Sequence, residues 1–207
     1  MSEAKAKELL LTGHLFLAAA EFVAADTTTI VADLDIDDVA GYDGATEDLG
    51  GARTLNTLAT RQEVARNVVV TITDADKSIT AGNVTVRGLD ANGLPVGETF
   101  TMTSGAGTNT FTGNVAYSVI SSVVAWGFAG VTNEDDNLKV GCGDKIGLPM
   151  GANCKLVDVF KELHNAACIA VNPEGVDRTY GTYTSDSAGG GDHTGEFWYT
   201  YKVMLNW

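Results

Sequence analysis

The chain has few of the residues that build crosslinked, nucleic-acid-binding or membrane-spanning proteins. Its 207 residues contain 13 lysines and arginines against 27 aspartates and glutamates, a formal net charge of −14. Nucleic-acid affinity comes largely from basic side chains that displace counterions, so this balance argues against DNA or RNA as a partner. A membrane helix needs roughly 20 apolar residues. Gly13, His14 and Glu21 interrupt the only candidate, Leu9 to Val23, so no membrane partner is predicted.

Cysteine is also scarce. Cys142, Cys154 and Cys168 are odd in number, widely spaced and form no Cys-x-x-Cys pair. Such a set indicates neither a zinc site nor a disulfide framework. We interpret them as thiols in a reducing cytoplasm that are mostly buried, since cysteine is among the most buried residue types. A single disulfide stays open as the alternative.

The beginning of the chain has only part of the pattern of a secretion signal. Lys5 and Lys7 precede a short apolar run, but Glu3 and Glu8 lie among them. A signal peptide begins with a positively charged flank, which these acidic residues spoil. We therefore expect that this segment is not a secretion signal and that the protein is synthesised in the cytoplasm.

Catalytic and metal-binding patterns are missing as well. His14, His164 and His193 are far apart, and no two have the spacing of metal ligands. Asp192 and Glu196 flank His193 and could bind a metal only weakly, so we favour a solvated loop there. No Gly-x-Ser-x-Gly elbow is present to support a serine nucleophile.

Two segments resemble ligand loops without fulfilling their requirements. Asp33 to Asp38 alternates acidic and apolar residues, but the sixth position lacks the glycine of a calcium loop and Gly44 occupies the position of its bidentate glutamate. Gly141 to Gly147 resembles a phosphate loop loosely, because its third glycine is one residue late. The sequence therefore predicts a non-enzymatic protein without metal or cofactor.

What the sequence does contain is β-branched runs with a period of two residues. After Arg66, apolar and polar side chains alternate, with Val68, Val70 and Ile72 on one face and Asn67, Thr71 and Thr73 on the other. Alternation bounded by turn residues is typical of antiparallel strands. We predict an all-β protein with an antiparallel β-sandwich or jelly-roll-like body at 66–207. Residues 1–65 form an N-terminal arm and connecting segment, unless the chain is one continuous domain.

A hairpin is the sharpest local prediction. The segment Asp90 to Gly93 ends in Asn-Gly, and both residues tolerate the positive φ of a tight hairpin turn. Pro95 fits the entrance of the second strand. In the simplest register, Phe100 and Met102 face the core together with Val84 and Val86.

Two further strand regions are predicted nearer the C-terminus. Val115 to Trp126 is apolar on both faces, which favours a central strand or strand pair. Arg178 to Thr184 and Glu196 to Trp207 are predicted to form a final hairpin, with Ser185 to Thr194 as a mobile loop between them. Alternation in the last strand places six side chains on one face, namely Phe197, Tyr199, Tyr201, Val203, Leu205 and Trp207.

The terminal segments carry apolar side chains that need cover. Leu9 to Ala25 is ambiguous between a strand pair with a turn near Thr12-Gly13 and a helix, and we favour extended structure. Large apolar and aromatic side chains at strand spacing usually belong to a core or a subunit interface. We predict interface residues at both ends of the chain: Leu9, Leu11, Leu15, Phe16, Phe22, Trp198 and Trp207.

Part of the chain resembles a known class of proteins. The segments Ala65 to Asp74, Ile79 to Gly93, Glu98 to Phe100 and Gly143 to Pro149 are similar to small virion structural proteins of tailed bacteriophages. The resemblance implies a β-rich protein on the virion, of the capsid decoration or cement kind. Its implied partners are the major capsid protein and copies of itself, a homotrimer being one arrangement, and its implied location is the capsid surface.

Two other functions remain open. A tail tube or baseplate component would keep the protein in the virion. A surface carbohydrate-binding or adhesive β-sandwich would instead use exposed tryptophan and tyrosine with the Ser185 to Thr194 loop.

Overall fold

The structure, a computed structural model, describes residues 7–17, 26–36, 53–56, 60–103, 105, 107–131, 136–151, 153–185 and 194–205. The predicted Phe22, Asp192, His193 and Trp207 lie outside these residues, as do 186–193 of the predicted mobile loop. So do 37–38 of the acidic segment Asp33 to Asp38. Within the described part, no helix is long and apolar enough to cross a membrane.

Strands dominate the described chain. They are β1 Lys7–Leu17, β2 Asp26–Asp35, β3 Arg53–Asn56, β4 Thr60–Thr73, β5 Ala81–Asp90, β6 Pro95–Thr101, β7 Asn109–Ala129, β8 Asn137–Gly147, β9 Cys154–His164, β10 Ala167–Ile169, β11 Val176–Asp177, β12 Thr182–Thr184 and β13 Gly195–Leu205. A 3₁₀ turn at Pro173–Gly175 precedes β11. The predicted all-β class is confirmed.

The strands form two antiparallel sheets. The large sheet has the order β11-β12-β8-β4-β7-β5-β6, with β2 also paired to β8 and β3 to β7. The small sheet has the order β1-β13-β9-β10. The first three strands therefore pair with later ones, β1 in the small sheet and β2 and β3 in the large one.

The predicted hairpin is present as β5 and β6. Gly93 has a φ of +76°, and β6 begins at Pro95. Val84 pairs with Phe100, and both are buried. The apolar segment after Val115 belongs to the single 21-residue strand β7, which lies between β4 and β5.

Two local predictions were wrong. No turn interrupts β1 at Gly13, because the strand continues opposite β13. A Cβ at Gly13 would lie 2.4 Å from Cζ of Tyr199, so the glycine makes room for an aromatic ring and does not form a turn. The predicted final hairpin does not form either, since β12 pairs with β8 and β11 while β13 pairs with β1 and β9. Alternation identifies strands but does not choose their partners.

The centre of the large sheet contains bulges on both sides of β4. Between Asn67 and Val69, β4 advances by two residues while β7 advances by four, from Ala116 to Thr112. Between Arg66 and Val68, β4 again advances by two while β8 advances by four, from Ile146 to Cys142. Extra residues of this kind bend a strand and increase its twist.

Side chains from β4 satisfy the main chain at these bulges. Nδ2 of Asn67 donates to the carbonyl of Gly113 on β7 at 2.8 Å, and its Oδ1 accepts the amide of Lys145 on β8 at 2.9 Å. Nε of Arg66 donates to the carbonyl of Gly143 at 2.7 Å. Asn67 was predicted on a polar face, but it is completely buried because its amide group replaces ladder hydrogen bonds.

A carboxylate completes the bulge on β7. Glu98 lies on β6. Its Oε1 accepts a hydrogen bond from the amide of Asn114 at 3.0 Å, and its Oε2 accepts one from the amide of Val115 at 3.4 Å. A Cβ at Gly113 would be 2.6 Å from Oε2 of Glu98. The glycine therefore leaves space for the carboxylate to reach the main chain.

The bend separates two hydrophobic clusters. Val68, Val70 and Ile72 belong to the first cluster, whereas Val64, on the other side of the bulges, packs against the second. The second cluster joins the sheets through the buried residues Leu17, Ile146, Leu148, Leu156, Val159, Val176, Tyr183, Phe197 and Tyr199.

We predict that Asn67→Ala lowers the free energy of unfolding by about 2–4 kcal/mol. The substitution leaves the buried carbonyl of Gly113 and the half-buried amide of Lys145 unsatisfied. A buried group costs about 1–3 kcal/mol, and the half-buried amide contributes at the lower end of that range. Urea unfolding would measure the change. Thr71→Ala on the same strand is the control, because its hydroxyl lies 3.5 Å from that of Thr110 and makes at most a weak bond. An equal loss in the two variants would contradict the role assigned to Asn67.

Candidate functional site

The small sheet carries most of the predicted interface. β1 is its edge strand and pairs only with β13 within the described residues. Leu15 and Leu17 point to the same face as Phe197 and pack in the second cluster. Leu9 and Leu11 lie further along that face, where the core no longer covers them, and are 48% and 36% exposed.

The opposite face of β1 is also apolar and exposed. Leu10 is 59% exposed and Phe16 is 53% exposed. Phe160, on β9 at the other side of β13, is 50% exposed and lies at a register shift between β9 and β13. Of the eight exposed large hydrophobic residues in the described chain, five therefore come from the small sheet: Leu9, Leu10, Leu11, Phe16 and Phe160.

Trp198 lies on this outer face in a small cluster of charged and aromatic groups. The ring of His14 stacks on it with centroids 4.4 Å apart, and Nζ of Lys161 is 4.4 Å from the ring centroid. Nε2 of His14 is 3.2 Å from Oε2 of Glu196. Cation–π contacts of this kind contribute about 0.5–1 kcal/mol at exposed sites. The cluster fixes Trp198 on the surface of the sheet.

The structure thus brings Leu9, Leu11, Leu15, Phe16 and Trp198 into one sheet, as defined by the pairing of β1 with β13. The sequence did not identify Leu10, His14, Phe160 or Lys161 as members of this surface. Leu10 could have been found from the alternation of β1. Phe160 could not, because the bulge that turns it outward depends on the pairing of β9 with β13.

A buried carboxylate joins the two sheets beneath this surface. Oε2 of Glu162, on β9, accepts the hydroxyl of Tyr183 at 2.5 Å. Oε1 accepts the hydroxyl of Ser185 and lies 2.8 Å from Nε2 of His164. The amide of Asn172 donates to the Tyr183 hydroxyl at 2.9 Å. Both carboxylate oxygens are used within the protein, so this cluster connects β9 of the small sheet to β12 of the large sheet.

A second group of carboxylates lies at the turn after β4. Oxygen atoms of Asp74, Asp76 and Asp136 lie within 4.8 Å of one another, a donor set of the kind that hard cations use. Asp74 accepts the amides of Ser78 and Ile79, at 2.9 and 3.2 Å. Burial raises the pKa of Asp74, and these two bonds oppose that effect. The bonds show that this carboxylate closes the turn, so we do not assign a metal there.

The cysteines are more accessible than predicted. None of the three is in a disulfide bond. Cys142 and Cys154 are half-buried and Cys168 is exposed. The expectation of mostly buried thiols was wrong, because β10, which carries Cys168, covers only three residues at the end of the small sheet.

The fold and the site define an all-β antiparallel protein with an exposed apolar edge sheet. No protein-family model matches the chain, and no curated protein is similar to it in sequence. Weak structural similarity is found to infectious bursal disease virus structures. These are the Gx strain, with 9% identity and a TM-score of 0.27, and the VP2 subviral particle, with 10% identity and a TM-score of 0.26.

These two matches cover 97% of the chain, which spans only 42% of the length of the matched chains. The matched structures are those of a virus and of a subviral particle. TM-scores of this size establish no shared topology, so the matches carry no argument about function. The predicted relationship to tailed-phage virion proteins stays a prediction.

We predict that Glu162→Ala destabilises the protein by about 3–5 kcal/mol, the usual cost of removing one partner from a buried charged network. Glu162→Gln should cost less, since the amide keeps one acceptor oxygen. Denaturant unfolding would measure both. Glu174→Ala, at an exposed position, is the control and should change stability by no more than about 0.5 kcal/mol. A Glu162→Ala effect as small as that of the control would contradict the bridging role.

A second prediction concerns alkaline pH. Burial, and secondarily Tyr201, raise the pKa of Tyr199 to about 12, and its hydroxyl donates to the carbonyl of Pro149 at 2.6 Å. The pKa of Tyr199 in the folded protein exceeds the unfolded value of about 10, so the protonated hydroxyl favours the folded state. This stabilisation is complete below about pH 10 and is lost as the pH rises through about 12. The loss amounts to about 2–3 kcal/mol.

Unfolding measured from neutral to strongly alkaline pH should show this decline, and Tyr199→Phe should flatten it. Part of the decline should remain in this variant, because burial also raises the pKa of Tyr117. Tyr180→Phe removes an exposed hydroxyl and serves as the control. An unchanged slope in Tyr199→Phe would contradict the assignment.

Proposed function

We propose that this chain is a non-enzymatic structural protein of a virion that binds the capsid surface and stabilises the head lattice. The observation that supports the proposal is the apolar edge of the small sheet. Five of the eight exposed large hydrophobic residues of the described chain lie on this one sheet, on both faces of its edge, and a local concentration of exposed apolar side chains indicates an interaction surface. That the assembly is a virion is inferred from the resemblance of residues 62–150 to virion proteins of tailed phages.

The main chain of β1 offers a second means of attachment. An edge strand presents a row of unpaired amides and carbonyls that can accept a strand from another chain. The 11 residues of β1 extend over about 37 Å at the rise of an antiparallel strand. Strand addition would provide hydrogen bonds, while Leu10 and Phe16 on one face and Leu9 and Leu11 on the other would provide apolar contacts.

Such an edge suits a protein that acts in many copies. The expected partners are the major capsid protein and other copies of this chain. Linked contacts raise the effective concentration of each further contact, so modest individual affinities sum to stable attachment. A decoration protein that joins neighbouring capsomers in this way would raise the barrier to opening the lattice.

The proposal predicts that antibody against this chain labels the heads of intact virions, and that particles lacking it lose heat resistance, measured as genome release. Adding the purified chain should restore resistance. Label on the tail would support a tube or baseplate component instead. Unchanged heat resistance in particles without the chain would overturn the stabilising role.

The variants Leu10→Lys and Phe16→Lys should weaken attachment at least about tenfold, because each places a charge in an apolar contact. Leu94→Lys is the matched control, since Leu94 is an exposed leucine outside the small sheet. Equal attachment by all three variants would show that β1 is not the contact.

A further inference from the structure

A cavity of about 510 Å³ opens to solvent where the two sheets meet. Its walls come from the β5–β6 turn, the segment between β8 and β9, the first residues of β9 and the turn between β11 and β12. Small-molecule sites have volumes of about 300–1,000 Å³ and often lie at junctions of this kind. The exposed part of β1 does not contribute to it.

Hydrogen bonds between the segments hold the walls in place. Oδ1 of Asn92, in the β5–β6 turn, accepts the amides of Met150 and Gly151, both at 2.7 Å. Oδ1 of Asp90 accepts the amides of Asn92 and Leu94, at 2.8 and 2.9 Å. These bonds connect separate segments of the large sheet and its connections, so the cavity is formed before any ligand arrives.

The cavity is cationic although the chain as a whole is acidic. Lys155 and Arg178 line it, and neither forms an ion pair within the described residues. Nε of Arg178 donates to the carbonyl of Val157 at 2.7 Å, which fixes the guanidinium and leaves its terminal nitrogens for a ligand. The fork of these nitrogens matches a carboxylate. Asp90, the carboxylate in the wall, is committed to its turn.

Apolar groups stand beside the cations. Tyr180 is 49% exposed and Leu94 is 42% exposed, and both line the cavity. The amides of Thr179 and Tyr180 both donate to Oδ1 of Asp177, at 3.0 and 3.2 Å. These amides and those of Leu94, Met150 and Gly151 are already bonded, so at these positions a ligand would meet side chains and not free amides.

We infer that this cavity binds a carboxylate-bearing saccharide, a sugar acid whose carboxylate contacts Arg178 and Lys155 and whose ring packs on Tyr180. An aromatic ring supplies an apolar face for the carbon-bound hydrogens of a sugar, and the hydroxyl of Thr179 can bind sugar hydroxyls. This site adds a ligand to the proposed structural role and does not depend on it, because attachment through β1 uses other residues.

Binding to the full-length purified chain would be measured by saturation-transfer NMR and calorimetry, with methyl β-glucuronide as the probe. Methyl β-glucoside, which has the same ring without the carboxylate, should bind at least about tenfold more weakly, since hydrogen bonds to charged groups are the stronger ones. Acetate, which lacks the ring, should also bind at least about tenfold more weakly, because it cannot pack on Tyr180.

Lys155→Met and Arg178→Met should each weaken glucuronide binding about five- to tenfold. Lys77→Met and Arg87→Met remove the same charges from exposed positions outside the cavity and should leave binding unchanged. Absence of glucuronide binding at millimolar concentration would overturn the inference, as would acetate binding equally well or equal losses in the control variants. Virion attachment of Arg178→Met should stay normal, which separates this test from that of the proposed function.

Discussion

The architecture depends on two adjacent side chains of β4 that take the place of main-chain hydrogen bonds. Both neighbours of β4 bulge beside Arg66 and Asn67. Without these two side chains, the carbonyls of Gly113 and Gly143 and the amide of Lys145 would lose these hydrogen bonds. Because these bonds are made, the sheet can bend at its centre at little cost. The bend turns Val64 away from the first hydrophobic cluster and towards the second, on which the small sheet rests.

The position of the small sheet explains why apolar side chains of its edge strand are exposed. Glu162 connects β9 to β12, and the second cluster packs Leu17 and Phe197 at the same end of the sheet. The remainder of β1 extends beyond this support, so Leu9 and Leu11 continue the core face without a core to cover them. The exposed surface is therefore a geometric consequence of a long strand that pairs with β13 over its whole length but packs on the second cluster only through Leu15 and Leu17.

The sequence predicted local features well and long-range ones poorly. The β5–β6 hairpin follows from Asn-Gly and alternation, because its register is decided by neighbours in the chain. The partners of β12 and β13 and the burial of Asn67 depend on strands far away in the sequence, which a period of two residues does not report. The same limit applies to the interface, where membership of β1 was predictable but exposure of Phe160 through a bulge was not.

The acidic charge of the chain also bears on the exposed edge. A long apolar strand edge tends to pair with other copies before it meets its intended partner. A net charge of −14 makes such copies repel one another in solution, and repulsion of this kind keeps proteins soluble and apart. Contacts that form on a particle gain from multivalency, which free copies in solution lack. In the proposed role, dispersed charge repulsion would oppose aggregation in solution, while several apolar contacts made together would favour attachment to an ordered lattice.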